Sequence, residues 1–187
     1  EVWPLLAAAL AARPAVVAIF VTRPPVSVMD RASLGLPDAR EAARGAYRVR
    51  SGSGRGPAVV IQGSGVALEF FENVLGELDQ EALDLDVVVV TSPELFSHLE
   101  PDEQDWIIPP SLARRAMGIT DITLPTLYRF VTSEKGRQAS LHPFRDGHYQ
   151  GSGTGAMVMK QAGLDARAQI DAIRQWTSRV SQGTIHR

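Results

Sequence analysis

One pattern constrains this chain more than any other: an apolar run, a glycine turn, an apolar stripe and a second apolar run, all within residues 58–90. Ala58, Val59, Val60 and Ile61 form a continuous apolar run of strand length, as expected of a strand covered on both faces. Gly63-Ser64-Gly65 supplies a tight turn. Val66, Phe70, Val74 and Leu78 then recur four residues apart, with Phe71 and Leu75 beside them, which predicts an amphipathic helix. Asp86-Val87-Val88-Val89-Val90 predicts the second strand, ending at Thr91-Ser92-Pro93. Strand, helix and strand joined by short turns imply a right-handed βαβ crossover, and therefore a parallel sheet. The expected fold class is α/β, a mainly parallel sheet flanked by helices.

Composition narrows the function classes. At 44% hydrophobic and 21% charged residues, a chain of 187 residues can bury a core, which excludes disorder. A net charge of −2 provides no basic field, so neither nucleic acid nor an anionic membrane is expected as a partner. With no cysteine there is no disulfide, no thiolate metal site and no cysteine nucleophile, which fits a cytoplasmic protein. The apolar residues between 5 and 21 are interrupted by Arg13 and Pro14, too broken for the about 20 residues that span a bilayer. The chain opens on Glu1, with neither Met nor a basic segment. No signal peptide is read, and the chain is expected to be a piece of something longer.

Three regions follow from the punctuation. Trp3, Leu5, Leu6 and Leu10 fall at helical spacing, with Pro4 in the first turn and Arg13-Pro14 at the end. The apolar run 15–21 reads as a strand, so residues 1–23 are expected to be the last α-β unit of another domain. Its exposed apolar face predicts self-association of the isolated piece. Residues 24–56 are read as a linker: Pro24, Pro25 and Pro37 break regular structure, and Asp38 can cap a short helix through Arg44. Ser51-Gly52-Ser53-Gly54-Arg55-Gly56 is the expected flexible hinge. Residues 57–187 are the expected α/β domain. Past the βαβ unit, residues 111–118 read as one short helix, 124–133 as either strand or helix, and 141–144 as a late strand. Residues 156–162 and 166–176 read as helices, the latter with Ile170, Ile173 and Trp176 on one face.

Few residues point to chemistry. Gly63-Ser64-Gly65 stands where backbone N–H groups can hold a phosphate, but a third glycine is missing and a close-packed turn explains the pair. Gly151-Ser152-Gly153-Thr154-Gly155 lacks the Lys-Ser/Thr of a P-loop and reads as a turn before a helix. Among His98, His142, His148 and His186 no two lie three or four residues apart, so no metal site is read. His142 and His148 flank Phe144-Arg145-Asp146-Gly147, a segment able to reach into an interdomain cleft. No G-x-S-x-G elbow marks a hydrolase. Arg23 follows the apolar run directly, where a parallel strand delivers side chains to a ligand crevice. A guanidinium there can hold a phosphate or carboxylate in bidentate fashion; a surface arginine is the alternative.

Taken in order, these segments resemble transketolases. Glu1-Val2-Trp3, the helix, the run ending Thr22-Arg23-Pro24 and Ala43-Arg44-Gly45-Ala46-Tyr47 are similar to the stretch where that family's pyrimidine-binding domain closes and passes into a linker. Ala58 to Val66, Val87 to Val90, Ser92-Pro93-Glu94-Leu95-Phe96, Phe144 with the glycine-serine turn, and residues 159–173 resemble its C-terminal domain. The resemblance implies a thiamine-diphosphate enzyme with Mg²⁺ or Ca²⁺, a homodimer of three-domain subunits that moves two-carbon ketol units between sugar phosphates. It also implies that the catalytic, cofactor-binding and metal-binding residues lie in N-terminal domains outside this chain, so this piece alone is expected to be inert. Neither the G-D-G…N-N motif nor the activating glutamate is present here. Arg23 matches the family arginine that binds the substrate's terminal phosphate, and it is the one site residue carried over. The residues after it are Pro24-Pro25-Val26 where the family has Gln-Asn-Leu-Pro, and the closing turn, 145–152, is longer. The homodimeric pyruvate dehydrogenase first component and deoxyxylulose-phosphate synthase share this plan and stay open, as does a stand-alone, non-catalytic binding module.

Overall fold

The computed structural model describes residues 1–21, 26 and 28–183. Helix α1 (Val2–Ala11) takes Pro4 in its first turn and stops where Arg13 adopts a left-handed φ of 51° ahead of Pro14. A 3-10 turn (Ala39–Arg44) begins at Asp38, whose carboxylate accepts from the Arg40 N–H at 2.8 Å. Gly45 then turns the chain at φ 78° into β1 (Ala46–Arg50), and a Cβ there would stand 2.2 Å from the Phe96 nitrogen. The βαβ unit follows as β2 (Ala58–Gln62), α2 (Ser64–Glu69), a π-helical turn (Phe70–Val74), α3 (Leu75–Gln80) and β3 (Asp86–Val90). Next come α4 (Pro93–Ser97), α5 (Pro101–Ile107), α6 (Pro110–Arg114) and β4 (Ala116–Thr120). A 3-10 turn (Leu124–Leu127), α7 (Glu134–Ala139), α8 (Gly155–Gln161) and α9 (Ala166–Ser181) complete the described chain.

The sheet runs β1-β3-β2-β4. β2 pairs parallel with both β3 and β4, and β1 closes one edge antiparallel to β3. Alternation along the strands sorts the apolar residues between two layers. Val59, Ile61, Val87, Val89, Met117 and Ile119 share a cluster with Val66, Phe70, Val74 and Leu78 and with Ile173 and Trp176 of α9. Ala58, Val60, Val88, Val90 and Ala116 share another with Phe96, Ile107, Leu112 and Phe130. Both faces are therefore covered, which is why these strands read as unbroken apolar runs. Each large side chain buried this way contributes about 1.5–3 kcal/mol. The four-residue recurrence in the helix is matched by its π turn. On a regular α-helix such steps drift by roughly 40° each. The wider turn at Phe70–Val74 unwinds part of that drift and keeps all four side chains fully buried.

A buried ion pair ties the amino ends of the strands together. The Asp86 carboxylate meets the Arg115 guanidinium at 2.7 Å and accepts from the Gly52 N–H at 3.0 Å. The Arg115 carbonyl accepts from the Trp176 indole N–H at 3.0 Å, and the Arg115 guanidinium donates to the Gly56 carbonyl. The stretch 51–56 is thus held to the sheet, with Ser53 also donating to Asp84, and is not the free hinge expected from its composition.

Other expectations are corrected at the level of elements. Residues 15–21 form no strand and join no sheet among the described residues; Val16 and Phe20 are 80% and 83% exposed. An apolar run becomes a strand only where another strand satisfies its backbone, and none of the four described strands adjoins it. β1 lies inside the stretch read as linker. The helix expected over 111–118 ends at Arg114, and Ala116–Thr120 is the second edge strand. Residues 141–144 contribute one parallel bridge, Ile119 to Leu141.

Candidate functional site

In an α/β sheet, ligands bind outside the carboxyl ends of the strands, where successive crossovers leave in opposite directions. Here that place lies beside β2, since β3 is on one side of it and β4 on the other. The side chains delivered there are Gln62 from β2, Thr120 from β4 and Asp121 directly after it. Gln62 accepts from the Thr126 hydroxyl at 2.6 Å, and Thr120 accepts from the Ile122 N–H at 3.0 Å.

The glycine turn at this crevice is filled from within. Asp121 accepts from the Gly65 N–H at 2.9 Å and from the Val66 N–H at 3.4 Å. Its carboxylate takes the position a phosphate would need and repels one by its charge. Gly63, at φ 116°, is required by the same contact: a Cβ there would lie 1.9 Å from an Asp121 oxygen. Burial pushes the Asp121 carboxyl above its ordinary range, while the Gly65 and Val66 N–H groups pull it back. Gly63-Ser64-Gly65 is therefore a packed strand-to-helix turn. Sequence reasoning does not single out Asp121: it stands 56 residues from its partner, and the helix expected over 111–118 overlaps the start of the strand that precedes it.

The remaining candidates stay apart. Arg23 and His186 lie outside the described residues. His142 follows Leu141 at the carboxyl edge of the sheet; its Nδ1 is sealed from solvent without a hydrogen-bond partner. Burial, with the Arg145 charge, lowers its pKa. His148 is exposed, with Nδ1 3.2 Å from the Asp146 carbonyl of its own turn. Gly151-Ser152-Gly153-Thr154 is exposed and leads into α8, whose N-terminus Thr154 caps. No group of three His, Asp or Glu among the described residues is placed to hold a metal ion.

A cleft of about 370 Å³ lies between the 3-10 turn 39–44, β1 and α5, walled by Asp38, Glu41, Arg44, Tyr47, Arg48 and Trp106. Its cations are already engaged: Arg44 pairs with Glu103 at 2.6 Å and Glu41 at 3.4 Å and lies over the Trp106 ring. Arg48 donates to the Ile107 carbonyl at 2.9 Å. Nearby, Glu1 anchors α1 to the sheet by accepting from Arg31 at 2.7 Å and from the Tyr47 hydroxyl. Burial and the adjoining Glu1 carboxylate push the Tyr47 phenol above its ordinary range.

Thiamine diphosphate with a divalent cation needs a diphosphate cradle and a carboxylate-bearing metal site. The described residues do not fit that group: the glycine turn is closed by Asp121, and no donor cluster stands near it.

No family model matches the sequence, and a search of the curated proteins finds no match. Solved structures do match. Transketolase from Leishmania mexicana superposes with a TM-score of 0.57 at 17% identity, covering 76% of this chain and 19% of its own. Transketolase from Pichia stipitis in complex with sedoheptulose-7-phosphate gives 0.56 at 14% identity, over 78% and 20%. Transketolase from Campylobacter jejuni subsp. jejuni gives 0.51 at 17% identity, over 75% and 19%. The chain spans about a fifth of the length of these proteins. Over most of its length it has the fold of a transketolase segment, a mostly parallel four-stranded sheet flanked by helices.

Proposed function

We propose that this chain is the C-terminal portion of a thiamine-diphosphate-dependent, transketolase-like transferase that moves two-carbon ketol units between sugar phosphates. The observation that carries the reading is the shared fold: β1-β3-β2-β4 with its flanking helices matches transketolases across about three quarters of the chain. The portion itself is non-catalytic and serves assembly or regulation of a cytoplasmic homodimer. The cofactor and its Mg²⁺ or Ca²⁺ are held by domains outside the chain, since the described residues do not fit them. Arg23 binds the terminal phosphate of the sugar substrate, its guanidinium orienting the substrate without touching the reacting carbons.

The test is Arg23→Ala in the full-length enzyme. Charge-assisted hydrogen bonds contribute about 1.5–3 kcal/mol, so kcat/KM for phosphorylated substrates is expected to fall roughly 10- to 100-fold, mostly through KM. Unphosphorylated substrates should be nearly unaffected; equal losses for both remove the assignment. An upstream reading frame without a G-D-G…N-N motif removes the enzyme reading altogether.

A further inference from the structure

We draw no further inference here: the strongest candidate, the exposed apolar face formed by α1 and residues 15–21, carries nothing beyond the reading already given, because nothing in the structure shows what covers it.

Discussion

At the scale of single residues, two carboxylates have opposite standing. Asp86 is paired with Arg115 in the interior: their side chains are 2% and 6% exposed. Removing one partner of such a pair strands the other charge, so Arg115→Met should cost about 3–5 kcal/mol by urea unfolding. Adding Asp86→Asn to that variant should recover a large part of the loss. A double variant no better than the single would show that the pair is not what holds the strand ends. Asp121 is held in the opposite sense. Its folded pKa lies above the ordinary 3.8, so between that value and the raised one the folded protein binds more protons than the unfolded chain. Stability therefore falls as pH rises through this window, the reverse of a salt-bridged aspartate. Asp121→Asn keeps an oxygen toward Gly65 and Val66 and carries no charge. Unfolding midpoints should show the wild type losing ground to this variant as pH rises from about 4; a constant difference across the window would refute the burial argument. Asp121→Ala leaves the two N–H groups without their acceptor and should cost about 1–3 kcal/mol below pH ~4, a difference that narrows as pH rises through the same window.

At the scale of elements, β1 decides where the folding unit begins. It pairs with β3 from Ala46 opposite Val90 to Arg50 opposite Val87, and Tyr47 is buried in the same cluster as Leu36 and Ala42. A chain cut at residue 57 would expose the β3 edge, a run of four valines with open backbone groups, which is a template for aggregation. A chain beginning at residue 36 should unfold cooperatively and stay dispersed in sedimentation velocity, while one beginning at 57 should aggregate. Equal behaviour would return the boundary to the glycine-serine stretch. The same strand shows where sequence legibility ends. The βαβ unit was readable because both strands are buried on two faces and its helix repeats its apolar side chains every four residues. β1 was not, because Arg48 and Arg50 mark it as polar, and an edge strand need bury only part of itself. β4 was not, because Ala116 and Gly118 carry little strand preference. Gly118 is there for packing, since a Cβ on it would lie 2.4 Å from the Leu127 side chain. The run 15–21 has the opposite history: its strand character is plain, but pairing is a tertiary property that no local pattern guarantees. At the crevice, the glycine turn was legible and its occupant was not, because the hydrogen bonds from Gly65 and Val66 to Asp121 join segments more than 50 residues apart.

At the scale of the whole molecule, apolar surface is unevenly distributed, and whether anything covers it distinguishes the proposed piece of a larger enzyme from a self-sufficient module. The sheet domain covers its strands on both faces, whereas α1 buries none of its residues and Trp3 is 81% exposed. Leu10, Val16, Ile19, Phe20 and Val21 are exposed as well. Large apolar side chains exposed in this number within residues 1–21 are what a contact surface requires. Trp3→Gln and Phe20→Ser should leave the unfolding midpoint of the isolated chain within about 0.5 kcal/mol of wild type, because neither side chain is packed. Binding of an apolar fluorescent dye should drop, as should association on concentration. In the proposed full-length enzyme the same substitutions should behave as core truncations costing about 3–5 kcal/mol, if a preceding part of that protein closes over these side chains. Small effects in both settings would mean that nothing ever covers this surface, and the chain would then be a module in its own right despite its transketolase fold. A large loss in the isolated chain would mean instead that α1 and residues 15–21 are already packed, contrary to the exposure described.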